Sequence, residues 1–253
     1  MSRKVNPVRK VDIEPPLHCS IEEQQRLLGE SPFFASLTPE DLVQVQREIN
    51  QRHYADGETI QHAGDPAERL SIVAMGTVKL VRPTMDGTDV LLDLLGPGQG
   101  FGSQIQLGDT NYREDVTAQT HACILHINAT TFASLMQKYP EIAGSALKFV
   151  SSKLADARNT IEELSAYPVE QRLAATLVRL ADRVGKQREA DILIDIPLSR
   201  QDLADMTGSK VETVSRVMSD FRRQGLIESG RRWISVVNRD ELHDIAEGIT
   251  AAN

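Results

Sequence analysis

Over residues 31–128 the apolar residues come in short runs separated by turn residues. The runs are Arg69–Met75, Thr77–Val81, Asp89–Leu95 and Ala122–Ile127; the breaks fall at Asp56-Gly57, Gly64-Asp65, Gly76, Asp86-Gly87 and Gly96-Pro97-Gly98. Short strands at this spacing predict an antiparallel all-β roll or sandwich over residues 31–138, entered by a short helical start. After Pro140 the period changes. Ala143, Leu147, Val150, Leu154, Ala157, Ile161 and Leu164 step by four and three residues alternately, with no Gly or Pro between Ser145 and Tyr167. That is the a/d row of a coiled coil, on a helix assigned to residues 139–167. A narrow apolar row asks for a partner helix. Its regularity favours a parallel homodimer over packing along the chain's own β-domain.

Pro168 opens a second domain, residues 168–253. Val169–Val184 has the pattern of an amphipathic helix, and Ile192–Pro197 of a short strand. Leu198–Phe221 reads as two helices joined at Thr207-Gly208, with Ser199 placed to cap the first. Ser209 is placed to cap the second, with Glu212 at the reciprocal capping-box position. Helix, short turn with Gly, helix is the helix-turn-helix signature. Gly225–Val237 follows as a two-stranded hairpin, or wing. At the other end, residues 1–30 are polar, carry Pro7, Pro15 and Pro16, and read as a loose arm leading into a short helix around Ile21–Leu28. The fold class is therefore α+β.

Composition narrows the function classes. Aromatics at 4% disfavour a single-strand binder built on stacked rings. Two cysteines exclude a disulfide scaffold and any zinc site of the CxxC…CxxC kind. No apolar run approaches the roughly 18 residues that span a bilayer, and no hydrophobic stretch follows the basic N-terminus, so no membrane contact is expected and the cytoplasm is the expected location. The net charge of −8 argues against indiscriminate coating of nucleic acid. Yet from Ser209 to Arg232 six basic residues face three acidic ones. A local basic patch on an acidic chain suits a confined contact with a DNA groove, although on charge alone a solvated helix face is the better explanation.

Helical spacing then separates two faces of the second helix. Val214, Val217, Met218 and Phe221 form its core side. Glu212, Ser215, Arg216 and Ser219 fall at i, i+3, i+4 and i+7 on another face, flanked by Lys210 and Thr213. Arg can donate two parallel bonds to guanine O6 and N7, Glu can accept from cytosine N4, and Ser can bond either. Glu212 and Arg216 are also spaced for an i, i+4 ion pair, which is compatible with base reading.

Val211-Glu-Thr-Val-Ser-Arg216 in this helix and Gly225-Leu-Ile before the wing resemble the CRP/FNR family, the cyclic-AMP receptor protein and its anaerobic-regulator relatives. The resemblance spans residues from about 31 to 240. It implies a cyclic-nucleotide-binding-like β-roll, a long dimerisation helix bearing the Leu147, Val150, Leu154, Ala157, Ile161 and Leu164 seam, and a winged helix-turn-helix. It implies a homodimeric transcription factor, not an enzyme, that binds an inverted repeat in double-stranded DNA and contacts RNA polymerase. The Glu-x-x-Ser-Arg pattern is that of the oxygen-regulator branch and implies TTGAT-like half-sites. By position, Glu212, Ser215 and Arg216 would read bases, while Ser199, Arg200, Ser209 and Thr213 would hold phosphates, setting register without specifying sequence. The loop Met85-Asp-Gly-Thr88 would lie near a polymerase-contacting surface, though a hairpin turn explains it as well.

The effector is left open. Nucleotide-binding members carry a Gly-Glu pair and then an Arg followed by a small hydroxyl residue, where this chain has Gly102-Ser103 and Arg113-Glu114-Asp115. Two carboxylates beside the Arg oppose a cyclic phosphate by roughly 1–4 kcal/mol each, so cyclic AMP is not the expected effector and Arg113 is expected in an ion pair. Oxygen-sensing members hold an iron–sulfur cluster on four cysteines. Cys123 sits where the ligand in the roll would be and Cys19 resembles part of the N-terminal set, but the other two are absent. His18 and Asp12 are weak substitutes. Cys19 and Cys123 are thus candidates for a redox pair or a cluster remnant, set against Cys123 as a small buried hydrophobe. The six histidines show no metal-binding spacing, haem ligation by one of them has no residue to single it out, and His121 and His126 fall on opposite faces of an unbroken strand, against a cupin-type enzyme.

Overall fold

The structure, a computed structural model, describes residues 19–84, 89–102 and 110–249. These divide into two compact units, one ending at Ile161 and one beginning at Glu162. The first opens with two helices, α1 (Ile21–Glu30) and α2 (Pro39–Gln46). Ser20 caps α1 by accepting the Glu23 N–H, and Thr38 caps α2 by accepting that of Asp41. Eight strands follow: β1 (Asn50–Tyr54), β2 (Thr59–Gln61), β3 (Arg69–Met75), β4 (Val78–Pro83), β5 (Asp89–Leu95), β6 (Gly100–Phe101), β7 (Asp115–Ala118) and β8 (Ala122–Asn128). They pair antiparallel in two sheets of order β1-β8-β3-β6 and β2-β7-β4-β5, as the run-and-break pattern predicts.

Alternation along β3 and β8 builds two cores at once. Val73, Ala122 and Ile124 point between the sheets and meet Tyr54, Val78, Leu95, Phe101 and Val116. Leu70, Ile72, Cys123, Leu125 and Ile127 point the other way, against Leu27, Phe132 and Ile142 on helices and Phe33 and Phe34 in the turn between α1 and α2. A strand covered on both faces cannot alternate apolar with polar, which is why Ala122–Ile127 reads as a continuous run. Gly76, in the turn between β3 and β4, shows how closely that turn packs on the one between β7 and β8. Its φ is +80°, and a Cβ there would stand 2.2 Å from the His121 carbonyl oxygen.

Helix α3 (Ala129–Lys138), unanticipated by the periodicity, leads into α4 (Pro140–Ala166), which matches the long helix expected over 139–167. In the second unit come α5 (Val169–Val184), β9 (Lys186–Gln187), β10 (Ile192–Ile194), α6 (Arg200–Met206), α7 (Val211–Arg223), β11 (Ile227–Gly230), β12 (Trp233–Val236) and α8 (Arg239–Ala246). Strands β11 and β12 form the expected wing and continue into a sheet of order β11-β12-β10-β9. The amphipathic stripe of α5 buries Leu173, Leu177 and Leu180. Helix α8 packs on α5, and Arg239 grips Asp182 with two hydrogen bonds of 3.0 and 2.8 Å.

One buried polar residue lies within the roll. His126 on β8 is 5% exposed, with Nε2 3.0 Å from the Tyr54 hydroxyl and Nδ1 2.9 Å from Ser71 Oγ. A neutral imidazole can donate at one nitrogen and accept at the other, and two hydroxyls satisfy either arrangement. Burial, reinforced by the charges of Arg69 and Arg52, pushes its pKa down to about 4. The unfolded chain therefore binds a proton on this residue near pH 6.5, which the folded chain refuses until about pH 4. Its contribution is intact above pH 6.5 and is lost as pH falls towards 4, by an amount on the order of 3 kcal/mol. Denaturant titrations of the wild type and His126→Gln between pH 7.5 and 4.5 should show a steeper loss of stability in the wild type. Equal slopes would mean that His126 is not held neutral.

Candidate functional site

Helix α6 begins at a reciprocal cap. Ser199 Oγ accepts the Asp202 N–H at 3.0 Å, the cap expected from the sequence, and Asp202 Oδ2 accepts the Ser199 N–H at 2.8 Å, a reciprocal bond that was not expected there. The turn that follows corrects the second cap. Ser209 does not cap α7: the N-cap is Lys210, which gives no side-chain cap, and Glu212 sits in the first turn without a box. The cause is local. Gly208 takes φ +55° and the Ser209 N–H is drawn back to the Ala204 carbonyl at 2.9 Å, so the chain enters the helix one residue later. The carboxylate of Glu212 still lies where the helix dipole favours negative charge.

Helix α7 presents two faces as its pattern demands. Val214, Val217, Met218 and Phe221 are buried. Glu212, Arg216 and Ser219 are exposed, while Ser209, Thr213 and Ser215 are half-buried beside them. The i, i+4 pair between Glu212 and Arg216 does not form: among the described residues, no hydrogen bond or ion pair within the chain engages either side chain. Further along, Arg223 is matched by Asp220 at 2.6 Å.

A feature that the motif reading missed lies at the start of α6. Arg200 is half-buried, and its Nη2 reaches Ser229 Oγ on the wing strand at 3.4 Å. Burial, then the neighbouring charge of Arg222, lowers its pKa. Arg200 at the start of α6 thus feels the positive charge of Arg222, which stands exposed in the last turn of α7, and two like charges of this kind favour an anion such as a phosphate. Spacing alone could not have found it, because Arg200 and Arg222 belong to different helices.

On α4 the apolar positions sort into two rows. Ile142, Ala146 and Phe149 pack on the core of the roll. The other row stays open: Leu147 is 67%, Leu154 53%, Ile161 63% and Leu164 44% exposed, with Ala157 also exposed and Val150 half-buried. Within the first unit, the described residues of the β-domain therefore leave Leu147 and Leu154 uncovered.

In the roll, a cavity of about 180 Å³ is lined by Gln61, Asp65, Glu68, Arg69, Tyr112 and His126, among others. Arg113 is exposed and is not among its lining residues. Glu114 pairs with Arg82 at 2.7 Å, and Asp115 accepts the Ala63 N–H at 2.7 Å. Ser103, the arm with Asp12 and His18, and the loop Met85–Thr88 lie outside the described residues.

Cys19 and Cys123 come together. Both are buried in the same apolar cluster beneath α1, and burial pushes the Cys123 thiol up to about 12. His53, the cross-strand neighbour of Cys123, stacks on His121 instead of joining the thiols in a metal site. Among the described residues no three His, Cys, Asp or Glu side chains are grouped to hold a metal ion, and two thiols fall short of the four ligands of a cubane cluster. The donors do not fit such a group.

Comparison with known proteins agrees with this geometry. Residues 171–245 match the family model for a Crp-like helix-turn-helix domain, and residues 51–139 that for a cyclic nucleotide-binding domain. The global nitrogen regulator of Synechococcus elongatus is 31% identical over 186 residues, 72% of this chain and 83% of that protein. A CRP-like cAMP-activated global transcriptional regulator of Mycobacterium tuberculosis is 25% identical over 85% of this chain and 96% of its own length. The crystal structure of a CRP/FNR-family transcriptional regulator from Thermus thermophilus superposes with a TM-score of 0.65 at 25% identity, covering 78% of this chain and 98% of the other.

The cap on α6 gives a direct test of how the site is built. Ser199→Ala removes the acceptor for the Asp202 N–H and should lower the stability of the C-terminal domain by about 1 kcal/mol. Ser199→Asn, which restores an acceptor, should recover most of that loss in thermal denaturation.

Proposed function

Because the chain belongs to the CRP/FNR family of DNA-binding transcription regulators, we propose that it acts as a homodimer that reads an inverted repeat of TTGAT-like half-sites and contacts RNA polymerase from the bound site. The observation that carries this reading is the exposed face of α7, where Glu212 and Arg216 are engaged by no group of the described chain, beside the Arg200–Arg222 pair. Glu212, Ser215 and Arg216 read base edges, and Ser199, Arg200, Ser209 and Thr213 hold phosphates. The open row from Leu147 to Leu164 is the dimer seam, supported by its exposure and its a/d spacing. The contact with polymerase rests on the family alone. No helix of the described residues is long and apolar enough to cross a membrane, and the protein works where its DNA is, in the cytoplasm.

Activity is set by a signal received at the roll or the arm. In this reading the signal is not cyclic AMP. The supporting feature is the replacement of the small hydroxyl residue after Arg113 by Glu114 and Asp115, with Asp115 tied to the Ala63 N–H.

The face of α7 is tested by two variants with different expected signatures. Arg216→Ala should weaken binding to the TTGAT-type repeat by about 1–3 kcal/mol per half-site while leaving random DNA nearly unaffected. Arg200→Ala should weaken both alike and reduce the salt slope by about one ion per contact. Affinities for both sequences across a salt series decide the matter, and an unchanged specific-to-random ratio in Arg216→Ala removes this Arg from base reading. The seam is tested by size. Leu154→Glu with Ile161→Glu puts like charges along the row, and light scattering should then report monomers unable to span half-sites about 34 Å apart.

A further inference from the structure

The start of α7 is the least anchored part of the helix proposed to read bases. Val214, Val217, Met218 and Phe221 bury its middle and end, whereas Val211, Glu212 and Thr213 in its first turn are half-buried or exposed. Lys210 gives no side-chain cap, and the Ser209 N–H is committed to the Ala204 carbonyl at 2.9 Å. The helix start is therefore held through the Thr207-Gly208 turn. Against that turn lies the end of α4. A Cβ at Gly208 would fall 2.7 Å from Leu164 Cδ2, so the leucine rests on the bare Cα, in the space where any other residue would carry a side chain.

Leu164 is itself fixed from both sides. On α5, Arg172 Nη1 donates to the Leu164 carbonyl at 3.1 Å, and Arg179 Nη1 donates to the carboxylate of Glu163 at 2.5 Å. Arg179 Nη2 is steadied in turn by Thr176 Oγ1 at 3.2 Å. All of these residues belong to the second unit, which begins at Glu162. Exposure agrees with the contacts: of Leu147, Leu154, Ile161 and Leu164, the last is the most covered.

We propose that Leu164 is a positioning residue for base reading: it seats the Gly208 turn and so fixes where the first two turns of α7 carry Glu212 and Arg216. The inference rests on the reading of α7 given above. Residues near the start of a helix in the major groove are the ones that meet base edges, and a two-bond contact to a base tolerates displacements of only about 0.5 Å. Attraction to phosphates works through charge and tolerates more. A helix start that has lost its seat therefore loses discrimination before it loses affinity for DNA in general.

The test uses the full chain and three variants, Leu164→Ala, Leu164→Met and Leu154→Ala. Without DNA, amide hydrogen exchange at Gly208 and Ser209 should speed up by about tenfold in Leu164→Ala, while Leu154→Ala leaves both amides as in the wild type. With DNA, Leu164→Ala should lower the ratio of affinities for the TTGAT-type repeat and random DNA by about tenfold, with random DNA bound as before and the protein still dimeric by light scattering. Leu164→Met, which refills the seat, should restore both the exchange rates and the ratio. Unchanged exchange at Gly208 and Ser209 in Leu164→Ala overturns the proposal, and so does a ratio that holds. A ratio lost only through dissociation into monomers overturns it as well, since Leu164 would then serve the seam alone. A wild type that does not prefer the repeat would count against the reading of α7, and the exchange rates would still decide whether Leu164 seats the turn.

Discussion

The docking of α4 on the roll through Phe149 constrains more of this molecule than any other contact. The Phe149 ring lies 4.7 Å from that of Phe33, which stands edge-on to Phe132 at 5.9 Å; Phe132 in turn meets Phe34 edge-on at 6.1 Å. Rings in this geometry add their quadrupole attraction to the burial of large apolar area. Gly100 makes room for the cluster, since a Cβ there would fall 2.5 Å from Phe33. Once Ile142, Ala146 and Phe149 are committed to the roll, the rotation of α4 is fixed. Leu147 and Leu154 are then turned outward by geometry, not by chance. A helix with apolar residues on one face only could serve the roll or a partner; two rows let it serve both.

The same logic of faces governs α7, the helix proposed to meet base edges. Four buried side chains, Val214, Val217, Met218 and Phe221, hold α7 in one orientation, and the groups left over are the ones with hydrogen-bonding forks and carboxylates. Rigidity here has a use. A side chain on a packed helix keeps its position relative to a base edge better than one on a loop, and discrimination between bases depends on that position. The unpaired state of Glu212 and Arg216 is equally informative. An internal ion pair would have to be broken before either could meet DNA, whereas uncommitted groups lose only water.

How far this was legible depends on whether a property is local. Strands β3 and β5 and helix α5 begin and end where their patterns say, because burial writes their periods directly into the chain. The cap at Ser199 was legible for the same reason: its partner is three residues away. The cap at Ser209 was not, because the backbone of the Thr207-Gly208 turn claims that residue first. Helices α3 and α8 were missed; each is short and leans on neighbours far along the chain, such as Asp182 for Arg239. The approach of Arg200 to Arg222 and the burial of Cys19 and Cys123 in one cluster are likewise products of tertiary structure, which no spacing rule reaches.

Strand β8 carries two buried titratable groups, and comparing them clarifies what burial does to chemistry. His126 sits between two hydroxyls that satisfy both ring nitrogens, so its lowered pKa describes a group with nothing left to exchange. Its effect is on stability. Cys123, on the opposite face of β8, is fully buried among apolar side chains, and burial pushes its thiol up to about 12. Desolvation therefore moves the two groups in opposite directions for one reason. It lowers the pKa of a base and raises that of an acid, so that on both faces of the strand the buried group stays neutral.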